Sequence, residues 1–235
     1  MNYSEFIYTC AKEGANTYGD ATMDYAAFLL GGMGVSEVYA DCLDRTYVLA
    51  NQFFQRCSSL GKLRCKVVSF EECDGSGLVM GEDCSKPLAV FQYDDDERQT
   101  DYRNLEFRTV GKKVKVIGRV SPYRKVNVQY RPKVPMFGKK DIRFIEEANA
   151  FSYMVTGIAT AFMTFDGAYA AAEEKQVDLE DYGFSDELLM IGVDWIKGRL
   201  NDDTSMGHSQ EIEAESRLND FDPDEFLFLQ RRAVM

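Results

Sequence analysis

Apolar residues recur along this chain at two periods, and the switches between them mark its organisation. In the N-terminal part the spacing is helical. Ser4 is placed to cap a short helix running to about Glu13, with Gly14 as its stop. Asp20 is placed to cap a second helix carrying Met23, Ala26, Ala27 and Leu30, which ends at Gly31 and Gly32. Ser36 opens a longer third helix, in which Val38, Cys42, Leu49, Phe53, Cys57 and Leu60 fall at helical spacing before Gly61 ends it.

The period then shortens. Lys62 to Ser69, Leu88 to Tyr93, Asn104 to Val110, Lys113 to Gly118 and Lys125 to Tyr130 are short and β-rich. Several of them alternate apolar and polar residues, as half-buried antiparallel strands do. Gly111-Lys112 separates two of these runs, and glycine at the first turn position suits a type II′ hairpin. Pro132 and Pro135 close the region, since proline cannot continue a central strand. From Asp141 the spacing is helical again. One long segment reaches about Lys175, bent near Asp166-Gly167, and the loop VDLEDYGF follows. Ser185 then caps a helix with Asp186 and Glu187 in its first turn, where they favour the helix dipole. The polar loop NDDTSMGHS leads to a last helix with Ile212, Leu218 and Phe221.

This pattern predicts an α+β fold, a helical bundle built from N- and C-terminal helices with an inserted antiparallel β module. The expected parts are helices over 1–61, the β module over 62–140, helices completing the bundle over 141–221, and a tail over 222–235.

The stretch ELLMIGVDWIKGRLNDD holds the only tryptophan, Trp195, and its apolar positions are not confined to one face. Leu188, Ile191, Trp195 and Ile196 are expected to form its structural core. Two explanations stand for the wide apolar surface: the helix is central in its own bundle, or a neighbouring molecule covers one side. The segment 148–165, ANAFSYMVTGIATAFMTF, carries no charge and approaches the length of a membrane span. Its Asn149, Ser152, threonines and Gly157, with acids at both flanks and no basic anchor, read instead as a buried helix of a protein outside the membrane.

Composition adds exclusions. Hydrophobic residues make up 45% and aromatics 13%, which supports a folded core. The N-terminal MNYSEFIYTCAKEG has neither a basic start nor a long apolar stretch and does not read as a secretory leader. Cys10, Cys42, Cys57, Cys65, Cys73 and Cys84 contain no CxxC pair, so they read as small buried hydrophobes rather than zinc ligands. Phosphate-binding glycine loops, HExxH and GxSxG are all missing from the sequence. The single histidine, His208, is expected in an exposed loop, and the run Asp94 to Glu97 in a solvated turn. No catalytic, cofactor or metal residue is assigned, and the expectation is a non-enzyme.

Charge is distributed unevenly. Between Arg103 and Arg143 there are 13 basic and 2 acidic residues, a net +11, which leaves −23 elsewhere in a chain of net charge −12. Three readings follow: two solvated faces, contact with nucleic-acid phosphates, or self-complementarity between a basic β module and a neighbour's acidic helical body. Lys112, Lys113, Lys115, Arg119, Arg124 and Lys125 are the candidate interface residues of the module.

The order of features resembles a known family. DYAAFLLGGMGVSEVYADCLDRTYVLANQFFQRC, then NLEFRTVGKKVKVIG, KVNVQYRPKVP and DELLMIGVDWIKGRLNDD, are similar to the head–tail adaptor proteins of tailed bacteriophages, including the tail tubular protein A type. The ring proteins of crAss-like gut phages are of the same general kind. The resemblance implies a structural virion protein at the head–tail junction, synthesised in the host cytoplasm. It implies a homo-oligomeric ring, usually of twelve copies, that binds the portal and other tail proteins and continues the DNA channel. Competing readings are a monomeric binding or regulatory domain and an enzyme with an unrecognised site. The C-terminal FDPDEFLFLQRRAVM places Phe226, Leu227, Phe228 and Leu229 together, followed by Arg231 and Arg232. Such a run either folds back on its own domain or, as the resemblance implies, docks on the portal or an adjacent subunit.

Overall fold

In the computed structural model the described residues are 1–16, 25–29, 37–61, 64–68, 78–79, 84–94, 98, 101–110, 113–117, 120–121, 123–145 and 167–221. The chain has an α+β fold, with N- and C-terminal helices flanking a central antiparallel β module. It divides into two compact units. One comprises Met1–Arg56, Met136–Glu180 and Ser185–Phe221; the other is built on Cys57–Pro135 with Asp181–Phe184.

The helical unit begins with α1 (Tyr3–Asn16), α2 (Tyr25–Leu29) and α3 (Glu37–Cys57). Ser4 is not the cap of α1; it is fully buried inside the first turn. Asn2 takes that role, because its side-chain oxygen accepts the Glu5 amide at 2.9 Å while the Glu5 carboxylate accepts the Asn2 amide at 2.9 Å. This reciprocal arrangement satisfies two amide donors at the helix start. Gly14 does not stop the helix either, since α1 runs two residues further. Its missing Cβ instead makes room for the Leu200 side chain. The α3 helix ends at Cys57 rather than Leu60, and the Leu60 amide bonds back to the Cys57 carbonyl at 2.9 Å in the closing turn. The expected caps Asp20 and Ser36 lie outside the described residues.

Residues 139–145 are not α-helical. A single 3-10 turn at Lys139–Asp141 gives way to a non-helical segment, and Ile145 donates its amide to the Leu29 carbonyl at 2.8 Å. The Asp141 carboxylate accepts the Gly138 amide at 2.8 Å and holds this turn in place of a helix start. Asn51, buried on α3, fixes the approach to it: the amide nitrogen donates to the Phe137 carbonyl at 2.6 Å, and the amide oxygen accepts the Phe137 N–H at 2.9 Å. The charge-free segment 148–165 lies outside the described residues. Among those described, no helix is long and apolar enough to cross a membrane. The next helix, α4, is described over 167–174.

The C-terminal helices, α5 (Asp186–Leu200) and α6 (Ser205–Asp220), form a hairpin. Ser185 caps α5 by accepting the Leu188 amide at 3.3 Å. Thr204 caps α6 by accepting the Gly207 amide at 2.9 Å. That cap starts α6 earlier than apolar spacing predicts, so His208 is an exposed helical residue and not a loop residue. Ile212 lies on the outer side of α6, 57% exposed, and Phe221 is the C-cap just beyond the helix.

The α5 helix is covered within its own unit on more than one side. Leu188, Leu189, Ile191, Val193, Trp195, Ile196 and Leu200 are all buried. Gly192 faces Phe53 of α3, where a Cβ would lie 2.6 Å from the ring. Gly198 faces α6, where a Cβ would lie 2.7 Å from the Glu211 nitrogen, and a Cβ on Gly207 would collide with the Asn201 carbonyl. Backbone approach replaces side-chain packing along this seam. Around it, Trp195 packs against Phe53 with ring centroids 6.1 Å apart, and Arg199 lies 4.5 Å over the indole. Arg199 pairs with Glu211 at 2.8 Å and Arg56 with Glu215 at 2.7 Å, while the indole N–H reaches Glu215 at 3.4 Å. The hydrogen bond from Arg56, followed by that from Trp195, holds the Glu215 carboxyl below its usual value. A depressed carboxylate stabilises the fold above its unfolded-state pKa, and the contribution is lost as pH falls through the depressed value.

The β unit contains two antiparallel sheets. Strands β1 (Arg64–Val68), β7 (Val126–Pro132), β3 (Cys84–Tyr93) and β4 (Tyr102–Asn104) form one in that spatial order. Strands β2 (Leu78–Val79), β6 (Lys113–Ile117) and β5 (Glu106–Val110) form the other. The run expected as one strand from Asn104 breaks at Leu105, which turns inward and is buried. Val90, Val126 and Val128 from the first sheet share a core with Leu105 and with Val114 of the second. Pro132 ends the central strand β7, opposite Cys84, as a residue without an N–H can only do at a strand end or edge.

Two substitutions test the seam. Trp195→Ala is expected to destabilise by about 3–5 kcal/mol, the range for removing a core aromatic. Gly207→Val, which forces the two backbones apart, is expected to lower stability by more than Met206→Ala on the neighbouring exposed position. Urea denaturation followed by circular dichroism measures all three, and a wild-type midpoint for Gly207→Val contradicts the close approach.

Candidate interaction surface

The β5–β6 hairpin is in register as Glu106 with Ile117, Phe107 with Val116, Arg108 with Lys115, Thr109 with Val114 and Val110 with Lys113. This register leaves a link of two residues, 111 and 112, which lie outside the described residues. Because side chains alternate across a strand and directly opposed residues share a face, the hairpin has two distinct sides. Phe107, Val114 and Val116 turn to the shared core. Glu106, Arg108, Val110, Lys113, Lys115 and Ile117 belong to the other side. Of these Lys113 is half-buried and the rest are exposed, including Val110 at 57% and Ile117 at 46%.

This outer side combines two features that a solvated sheet face avoids. Exposed branched aliphatics stand beside cations, and Arg108 is directly opposite Lys115. Opposed like charges on a sheet are destabilising. Among the described residues no carboxylate forms an ion pair with Arg108 or Lys115. Arg108 is one of the 13 basic residues of the charge pattern but was not among the candidate interface residues drawn from it; the two-residue link fixes its register against Lys115 and was the signal that could have found it.

A second part of the module is held from inside. Gln92 on β3 is buried, and its side chain binds the backbone of the segment between β6 and β7. Its nitrogen donates to the carbonyls of Ser121 at 3.0 Å and Arg124 at 3.2 Å, and its oxygen accepts the Ser121 amide at 3.0 Å. Arg124 then folds back, donating to the Tyr93 carbonyl at 2.9 Å and to Asp94 at 3.2 Å. Arg124 therefore ties its own loop down. The loop presents Tyr123, 93% exposed, next to exposed Lys125.

Four of the six basic residues nominated in the β module are thus described: Lys113 and Lys115 share the outer hairpin side, and Arg124 and Lys125 belong to the clamped loop. Lys112, Arg119, Phe226, Leu227, Phe228, Leu229, Arg231 and Arg232 lie outside the described residues. Leu188, Ile191, Trp195 and Ile196 are buried in α5.

In the helical unit several charged groups are engaged internally. A cleft of about 480 Å³ is lined by Arg45, Val48, Leu49, Arg199, Asp202 and Glu211. Arg45 donates to the carbonyls of Leu200 and Arg199, each at 3.2 Å, and so caps the C-terminus of α5, while Arg199 is paired with Glu211. Cys10, Cys42 and Cys57 are buried and not in disulfides, and burial pushes the Cys10 and Cys42 thiols up, away from the reactive thiolate. Among the described residues, no group of three or more histidine, cysteine and acidic side chains is placed to hold a metal ion.

Comparison with known proteins finds no family model, no curated protein and no solved structure that matches this chain.

Replacing Arg108 with Thr removes the like-charge opposition and supplies a good strand former. Stability is expected to rise by about 0.2–1 kcal/mol at low ionic strength, with the gain shrinking as salt screens the original repulsion. Chemical denaturation at two salt concentrations measures this, and a loss of stability shows that Arg108 has a partner in the fold.

Proposed function

We propose that the chain is a structural assembly protein, and within that class a head–tail adaptor of a tailed bacteriophage, forming a ring between portal and tail around the DNA channel. The observation that carries the assembly reading is the outer side of the β5–β6 hairpin, where Arg108, Lys115, Val110 and Ile117 are all exposed and two cations are directly opposed. Such a face is less stable alone than in contact with an acidic partner, so it suits binding rather than solvation. The narrower reading draws on the resemblance. The residues that carry it include the hairpin, the strand VNVQYRP before a proline-rich exit, and an apolar helix joined by a short polar loop to a second helix.

One observation favours a monomeric binding domain instead. The apolar surface of α5 finds its cover inside its own unit, so that helix alone gives no reason for a neighbouring copy. Imaging of phage particles that carry a tagged copy separates the two readings. A ring of density at the head–tail junction is the expected result, and absence of the protein from particles refutes the adaptor reading.

Reversing Lys112, Lys113 and Lys115 to Glu is expected to weaken incorporation into particles, and raised salt to weaken wild-type attachment in the same direction. Deleting 226–235 is expected to leave thermal melting unchanged while abolishing co-sedimentation with portal. A truncated chain that still co-sediments, or that no longer folds, removes the docking role of the tail.

A further inference from the structure

Two exposed faces of this chain are chemically complementary. On the hairpin, Val110 and Ile117 flank the exposed pair Arg108 and Lys115, with Glu106 at the edge opposite Ile117. On α6 the outward side has the opposite character. At 100° per residue, Met206, Ser209, Ile212, Glu213, Ser216 and Asp220 fall on one side of the helix, away from buried Gly207, Ala214 and Leu218. Met206 is 66% exposed and Ile212 57%. The remaining acids of the helix, Glu211 and Glu215, are bound to Arg199 and Arg56. Glu213 and Asp220 are exposed, and neither has an ion pair among the described residues.

Each face thus pairs two exposed apolar side chains with two charges that have no ion pair among the described residues, Arg108 and Lys115 on one and Glu213 and Asp220 on the other, and these charges have opposite sign. Neither face complements itself: two hairpin faces would bring cations together, and two α6 faces would bring carboxylates together. A two-fold symmetric dimer through either one is therefore disfavoured. We propose that the outer side of the β5–β6 hairpin of one copy docks on the outer side of α6 of a second copy of this chain. Arg108 and Lys115, opposed at the middle of the hairpin face, form ion pairs with Glu213 and Asp220, and Val110 and Ile117 on either side of them add apolar contact with Met206 and Ile212. The contact is head-to-tail, so each copy keeps one free face of each kind, and repetition gives a closed ring or an open filament. The inference rests on the hairpin as an assembly surface and does not depend on the adaptor assignment.

Sedimentation velocity on the full chain tests it, with far-ultraviolet circular dichroism to establish that each variant is folded. Wild type is expected to gain mass with concentration at low salt and to lose that gain at high salt. Arg108→Glu with Lys115→Glu, and separately Glu213→Lys with Asp220→Lys, are each expected to weaken association by about tenfold or more. All four substitutions in one chain restore opposite signs across the contact and are expected to recover association. A wild type that stays monomeric at every concentration in low salt overturns the proposal, and so does a folded four-substitution variant that fails to recover. Self-association that recovers in a protein missing from particles supports this contact and refutes the adaptor reading. A particle-bound protein whose self-association ignores all four substitutions does the reverse.

Discussion

The helical unit depends on the distance between α5 and α6. Gly198 and Gly207 let the two backbones meet where any side chain would collide with main-chain atoms. This closeness brings Arg199 over the Trp195 ring and within 2.8 Å of Glu211, and it sets Glu215 between Arg56 and the indole. Spreading the hairpin by the width of one methyl group loosens the charged contacts and the aromatic contact together. It also leaves the other sides of α5 dependent on α1 and α3, which accept it through two further bare positions, Gly14 and Gly192. A helix that is apolar on several sides is thereby packed against α1, α3 and α6 of its own unit.

The β unit solves a different problem. Among the described residues its shared core is formed by five buried positions supported by partly buried neighbours such as Phe107 and Val116. A polar residue on the inward side of β3 is therefore a cost unless all of its groups are bonded. Gln92 meets that condition by acting as a piece of backbone for the β6–β7 connection, which turns a polar core position into a clamp. The outward surface of the hairpin instead carries exposed Arg108 directly opposite exposed Lys115.

Much of this was legible in the sequence, because two periods, 3.6 and 2, separate the helices from the strands and the division is sharp near Gly61 and Pro132. What periodicity could not see was local chemistry that overrides it. Asn2 displaced Ser4 as the cap because the reciprocal partner sits at Glu5, three residues on. Thr204 drew the start of α6 forward and carried His208 into the helix. Apolar spacing placed Ile212 in the last helix but could not tell that it faces outward, because helical periodicity counts apolar residues without knowing which side the glycines have brought against α5. The clue was present: Gly192, Gly198 and Gly207 cluster in one hairpin, where three helix-weakening residues need a packing reason. Gln92 was equally readable by parity, falling two residues after Val90 on the buried side of its strand.

The clamp on the β6–β7 loop has a consequence for how the chain meets proteases. Tyr123, Arg124 and Lys125 offer consecutive cleavage sites of the kinds that chymotrypsin and trypsin prefer, on an exposed connection where nicking normally concentrates. A protease must draw several residues of its substrate into an extended strand, yet Ser121 and Arg124 have their main-chain groups bonded to Gln92, and the Arg124 side chain is anchored to the Tyr93 carbonyl. Cleavage there requires the buried amide to let go first. The loop is therefore a built-in reporter: it resists digestion for as long as the core beneath it stays closed, and it is cut when that core opens.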